Sequence, residues 1–392
     1  MTKNSQTRSA FLYAVNHFFI FAFHWAMILF LPLFFKQAGL NDALIGVLIS
    51  LFSLATIILI FPLGVLADRL NPRIMFLSGA SCAVLFNILM PHTLSLWAMC
   101  ALMLFAGGAI SLMLISISAL FIKQMGVEQR GVQVAVFNIG SIMGAGISAY
   151  FSGWLYLWKG DIMVIFWLGA GYSALAILTG LMLPSLKGIP FSVLEYKEDM
   201  GHAWMWILIF VVAITASHSG FEHAGYTLLQ TEVIGLDAEQ VGRAFFYISL
   251  WMTAITLFAG RLHDRLSRPL IMLGIAMVIS GIFQAASGHA HEFMDFLALR
   301  LAHTFGDSFS TLLIPVVAAT TFSRRRIGGT YAFILTVNTA SYFIFANIGG
   351  LINQNMGFIA SFDLSGALLL AGGIIAIFII RPWFRARASH FI

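Results

Sequence analysis

The chain has 392 residues, 60% of them hydrophobic and only 9% charged, with a mean hydropathy of +0.93. Soluble domains carry about a quarter of their residues as charges, so this composition excludes a water-soluble fold and points to an all-α integral membrane protein. The net charge of +5 has its use in orienting the chain across a bilayer and gives no ground for a nucleic-acid partner.

The opening MTKNSQTRSA is polar and carries Lys3 and Arg8. The apolar run behind it lacks a small-residue cleavage site and reads as a first span, not a cleaved signal peptide. A helical span takes roughly twenty apolar residues. Runs of that length fall at 11–35, 44–67, 74–91, 94–122, 131–156 and 161–183, then at 202–230, 240–260, 270–288, 292–322, 328–352 and 359–380. Twelve spans are therefore expected, and their short connections make neighbours antiparallel. Cys82 and Cys100 lie inside apolar runs without metal-ligand or disulfide spacing.

Lysine and arginine orient the chain. With the N-terminus inside, 17 of the 21 basic residues fall on the inner side, among them Arg69, Arg73, Lys123, Arg130, Arg326 and Arg381. The outer loops keep Lys36 and Lys159, with Arg243 near an outer helix end. Both termini are expected in the cytoplasm, with the protein in the inner (cytoplasmic) membrane. The longest inner connection, residues 184–201, contains Pro184 and Pro190 and mixed charge at Lys197, Glu198 and Asp199. It divides the chain into an N-terminal six-helix bundle, 1–183, and a C-terminal six-helix bundle, 202–392.

The halves share a signature. GVLADRLNPR, Gly64 to Arg73, stands between spans 2 and 3; GRLHDRLSRP, Gly260 to Pro269, stands between spans 8 and 9. Gly64 and Gly260, Asp68 and Asp264, and Arg69 and Arg265 align at one offset of 196, as do Arg130 and Arg326 before spans 5 and 11. Internal repeats of this kind mark secondary transporters. In this loop, in span count and in its six-plus-six division the chain resembles the major facilitator superfamily. Gly64, Asp68, Arg69 and Arg73 fit the superfamily pattern; Asn71 stands where it has a second glycine and Pro72 where it has a basic residue. The resemblance implies a conformational latch on the inner side, built from Gly64, Asp68, Arg69, Arg73, Glu128, Arg130, Gly260, Asp264, Arg265 and Arg326. Physically, a carboxylate such as Asp68 suits a neighbouring helix N-terminus, and the arginines suit acids or lipid phosphates. In span 5, Gly131, Gly140 and Gly144 are similar in spacing to the superfamily's antiporter motif. Ala145 and Ser148 break that pattern, so close helix packing remains the competing explanation.

Ionisable groups inside spans are costly and mark function by default. Glu222 lies in span 7, and Arg300, His303 and Asp307 lie in span 10 at steps of three and four, on one helix face. His218 shares a face with Glu222. At 1.5 Å per residue Glu222 lies about 30 Å from the inner start of its helix, in the outer half, as does Arg300. If the superfamily resemblance holds, spans 1, 4, 7 and 10 line a central cavity. Glu222 then pairs with Arg300, and His303 and Asp307 form a less neutralised couple, similar to the arrangement in proton-coupled sugar transporters. A purely structural salt bridge between spans 7 and 10 is the other explanation.

Proton coupling is accordingly expected at Asp307, His303 and Glu222. Solute contacts are expected from Arg300, His218, His24, His17, Asn138, Asn338 and Trp251. No metal site, cofactor or catalytic residue is expected, and no phosphate-binding loop is present to couple ATP. The partners expected are a small-molecule substrate, protons and membrane lipids, with the protein a monomer. The sequence thus reads as a secondary active transporter of a small organic solute. A proton-antiport exporter of amphipathic compounds and a non-transporting receptor or scaffold of the same fold remain as alternatives.

Overall fold

The computed structural model describes residues 3–40, 42–190 and 193–380. Arg381, Arg385 and Arg387, counted above as inner basic residues, lie outside them. Among the described residues twelve segments are long and apolar enough to cross a membrane, and no strand occurs. The all-α, twelve-span reading holds. The reason is the solvent: in hydrocarbon a peptide group must find its partner within its own segment, and the helix does this residue by residue.

The helices follow in order. They are α1 (Lys3–Ile28), α2 (Leu31–Gln37), α3 (Asp42–Arg69), α4 (Pro72–Leu89), α5 (Leu96–Gln124), α6 (Arg130–Lys159) and α7 (Met163–Gly180). After the linker helix α8 (Val193–Gly201) come α9 (Ala203–Leu228), α10 (Ala238–Leu266), α11 (Pro269–Ser287), α12 (Phe293–Thr321), α13 (Ile327–Met356) and α14 (Phe358–Ile375). Span 1 is shared by α1 and α2. Pro32 in the first turn of α2 has no N–H to give, so the ladder breaks between them. Local chemistry sets other ends. Asn71 accepts from the Arg73 N–H at 3.1 Å and Pro72 opens α4. Asp237 and Gln240 form a reciprocal capping box before α10. The segment between spans 6 and 7 is not a plain connection, since it carries α8.

The described residues group into two compact units. Of these, unit 1 comprises 3–40, 42–127, 136–190, 193–199 and 322–336; unit 2 comprises 128–135, 200–321 and 337–380. Within unit 1, α5 packs on α3, α4 and α1, and α7 packs on α4 and α1. Within unit 2, α12 packs on α10, α11 and α9, and α14 packs on α11 and α9. These are the same five pairings in the same order, so the repeat seen in two loops extends to helix packing.

Glycine permits the tightest of these approaches. A Cβ at Gly140 of α6 would collide with the Ala14 carbonyl of α1, and one at Gly144 with the Phe18 carbonyl. The Ser148 hydroxyl, one turn further on, donates to the Ala22 carbonyl at 2.6 Å. This small-residue edge is a seam between two backbones, which accounts for Gly140 and Gly144 by packing alone. Replacing Gly140 by Ala should destabilise the protein by about 1–3 kcal/mol through overpacking. Gly171→Ala, where a Cβ meets nothing within 4 Å, should be neutral. Thermal unfolding of the two variants in detergent measures the difference.

Candidate functional site

Unit 2 holds a buried ionic cluster built from three helices. His218 and Glu222 sit one turn apart on α9, and Tyr226 follows them. Arg300, His303 and Asp307 line one face of α12, and Ser280 and Gln284 stand one turn apart on α11. Arg300 Nη2 lies 2.6 Å from Glu222 Oε1. Its Nη1 donates to Gln284 Oε1 at 2.7 Å, and its guanidinium carbon stands 5.1 Å over the Tyr226 ring. Asp307 Oδ2 is 3.2 Å from His218 Nε2 and 3.0 Å from His303 Nε2. Glu222 Oε1 is 3.4 Å from the same His303 nitrogen. The side chains of Arg300 and His303 are 4% and 0% exposed, and each carboxylate 18%. The cations are thus packed behind carboxylates that retain some access.

Hydrogen bonding assigns the protons. The Ser280 hydroxyl donates to Asp307 Oδ1 at 2.7 Å. The Ser280 carbonyl, 2.9 Å from His303 Nδ1, can only accept, so Nδ1 carries a hydrogen. The other ring nitrogen, Nε2, then faces two carboxylate oxygens. A bare lone pair there would oppose both, so the space between His303, Asp307 and Glu222 fits one proton. His218, Glu222 and His303 also bring ligand atoms within 4.8 Å of one another, a grouping able to hold a metal ion. The Arg300 guanidinium against Glu222 opposes a dication, and the set suits a proton better.

Ser280, Gln284 and Ser287 recur at steps of four and three in an otherwise apolar span, a readable sequence signal, and the first two complete this cluster. The remaining expected solute contacts are not in this cluster. In unit 1, His17 Nδ1 donates to the Phe137 carbonyl at 3.0 Å and its ring stacks on Phe137 at 4.0 Å. His24 stacks on Phe52 at 5.6 Å, and Asn138 is buried. In unit 2, Trp251 donates to the Leu301 carbonyl at 2.7 Å, and Asn338 is exposed.

The repeated loops occupy the basic ends of the helices. In unit 1, Asp68 is 1% exposed. Its carboxylate accepts from Gly328 N at 3.0 Å and Gly329 N at 2.8 Å, the open N–H groups at the start of α13. It also accepts from Tyr196 Oη at 2.9 Å and pairs with Lys123 Nζ at 2.7 Å. A Cβ on Gly64 would meet the Gly328 carbonyl and Ala332, so glycine is required for α3 and α13 to come this close. Arg326 Nη2 is 3.2 Å from Asp199 Oδ1, and Arg73 Nη2 donates to the Leu181 carbonyl at 2.6 Å. Burial, and after it the charge of Asp68, push the Tyr196 phenol up from its ordinary value. It therefore keeps its proton and donates at neutral pH.

In unit 2, Asp264 accepts from Gly131 N at 2.8 Å and Val132 N at 3.0 Å at the start of α6, and Gly260 packs on Gly131. Glu128 engages by its backbone carbonyl, which accepts from Gln133 Nε2 at 2.6 Å. Arg69 and Arg265 are exposed. Lys123, Tyr196 and Asp199 carried no sequence signal as members of this network.

Residues 13–204 match the Major Facilitator Superfamily. The whole chain resembles the crystal structure of the human organic anion transporter MFSD10 (TETRAN), with a TM-score of 0.81 and 14% identity over 96% of this chain and 100% of that one. The chain has the fold of the major facilitator superfamily. A stretch of 105 residues is 32% identical to a probable L-galactonate transporter of Escherichia coli (strain K12), covering 26% of this chain and 22% of that one.

Removing one member of the buried pair should be costly. Glu222→Gln leaves Arg300 uncompensated and should destabilise the protein by about 3 kcal/mol. The double variant Glu222→Gln/Arg300→Gln should recover part of that loss. Thermal unfolding of both variants, compared as a double-mutant cycle, measures the coupling.

Proposed function

We propose that this protein is a proton-coupled secondary active transporter of a small organic solute in the cytoplasmic membrane, with both termini inside. It works by alternating access between its two six-span halves. The observation that carries the reading is the buried cluster of Arg300, Glu222, His303, Asp307 and His218 inside the spans. A structural salt bridge needs two partners. This cluster has five, with one proton shared among three acceptor atoms and two carboxylates left partly accessible. Such a group exchanges a proton when its surroundings change between two open states.

The solute class we favour is an organic anion. Arg300 and a protonated His303 balance Glu222 and Asp307, so the occupied site is neutral. An arriving carboxylate would compete with Glu222 for Arg300 and bring a proton with it. The two relatives named above are called transporters of L-galactonate and of organic anions, which supports the same class. Import and export use one fold, and a proton-antiport exporter is the second reading.

Asp307→Asn should abolish uphill accumulation while sparing downhill exchange. A pH dye inside proteoliposomes, read after adding L-galactonate and a panel of other sugar acids, follows the proton. Unchanged proton movement in Asp307→Asn would rule Asp307 out as the carrier, and sodium dependence of the signal would rule out proton coupling.

The capping of α13 by Asp68 and of α6 by Asp264 we assign to an inner latch. A latch biases the inward–outward equilibrium without touching solute. Asp68→Asn should slow transport by about tenfold, the scale of one charge-assisted hydrogen bond, and leave solute affinity nearly unchanged. Initial rates set beside equilibrium binding separate the two effects.

A further inference from the structure

The two latch carboxylates are repeats of one another in sequence but not in surroundings. Asp264 accepts the two N–H groups of α6, and among the described residues its side-chain neighbour is the adjacent His263, with Nδ1 at 3.4 Å. Asp68 accepts the equivalent pair from α13 and, in addition, Tyr196 of the linker helix α8. Three residues on in α8, Asp199 accepts from Thr330 Oγ1 at 2.8 Å and holds Arg326 through Nη2 at 3.2 Å and Nε at 3.4 Å. Thr330 and Arg326 flank Gly328 and Gly329, whose N–H groups Asp68 holds. One nine-residue helix therefore grips both sides of the contact between α3 and α13: the carboxylate through Tyr196, and the first turn of α13 through Asp199.

The segment leading into α8 is tied down as well. The Ile189 N–H donates to the Asp68 carbonyl at 2.8 Å. Gly188 lies so close to the Arg69 carbonyl that no Cβ would fit there. Asn71 Nδ2 donates to Ser185 Oγ at 2.7 Å. The linker thus follows the 64–73 loop closely. A connection whose only task was to join two halves would need none of these contacts. Asp199 is buried although it is an acid in a polar segment, and burial of a carboxylate is repaid only by partners such as Arg326 and Thr330.

We propose that Tyr196 and Asp199 of the linker helix are positioning residues for the Asp68 latch. They hold the start of α13 against the end of α3, so the inner end opens only when α8 lets go. This rests on the latch reading of Asp68 given above. It adds an asymmetry between the repeats: among the described residues the side-chain partners of Asp68 include Tyr196, whereas that of Asp264 is the adjacent His263.

The test uses the full-length protein with spin labels at Leu70→Cys and Arg325→Cys, two exposed positions on either side of the contact, and reads their distance distribution. Tyr196→Phe removes one hydroxyl and no volume. Thr330→Val and Asp199→Asn weaken the second grip, the former without changing α8. Each of the three should raise the ratio of long to short distances by about tenfold, the scale of a hydrogen bond to a charged group. The fluorescence-detected melting temperature of Tyr196→Phe should stay near wild type. Asp68→Asn serves as the reference. If Asp68→Asn shifts the ratio while Tyr196→Phe, Thr330→Val and Asp199→Asn all leave it unchanged, the linker proposal is overturned and the latch stands. If Asp68→Asn leaves it unchanged too, the latch reading falls, and this proposal with it.

Discussion

In a hydrocarbon core no peptide N–H or C=O can turn to water, and nearly every feature of this protein descends from that. The constraint makes each span a helix. It also removes the usual force between helices, since lipid is as apolar as leucine, and leaves close packing to hold them together. Gly140 and Gly144 against the Ala14 and Phe18 carbonyls are the direct consequence. So is the choice of a carboxylate, at Asp68 and again at Asp264, to satisfy the open N–H groups where α13 and α6 begin.

The same constraint concentrates charge. An ion inside a span must be matched by another or lose its place, so the few that remain lie together. Arg300 is held by Glu222 and Gln284, and His303 by Ser280, Asp307 and Glu222. The result is a cluster rich in acceptors around one proton. Charge balance inside it, not any single residue, connects proton movement to solute binding in the proposed cycle. The network at the basic ends of the helices obeys a looser rule, because water is near. There Lys123, Tyr196 and Arg326 reinforce contacts that two backbone N–H groups already make.

Repetition gives the molecule its economy. The five helix pairings of unit 1 recur in unit 2, and a single loop pattern recurs with them. The departures from the repeat are then informative. Ionic residues gather in the interiors of α9 and α12, whereas the interiors of the corresponding α1 and α5 offer Asn16, His17, His24 and serines. The linker helix serves Asp68 through Tyr196, whereas among the described residues the side-chain neighbour of Asp264 is His263.

What the sequence determined by itself was whatever depends on local composition and spacing. Span number follows from run length, the repeat from two matched loops, and the shared faces of Arg300, His303 and Asp307, and of His218 and Glu222, from helical periodicity. These need only the 1.5 Å rise and 3.6-residue turn of one helix. What only the tertiary structure decided was which faces meet. That His303 spends Nδ1 on the Ser280 carbonyl depends on α11 lying beside α12, a contact spanning 23 residues of chain. That Asp68 accepts from Gly328, 260 residues away, and Asp199 from Thr330, 131 residues away, follows from packing that no local pattern encodes. Trp251 is a further case: its indole N–H donates to the Leu301 carbonyl, a partner 50 residues away that no local pattern names. Periodicity places a side chain on a face, but the partner on that face is set by the energy of bringing distant helices together.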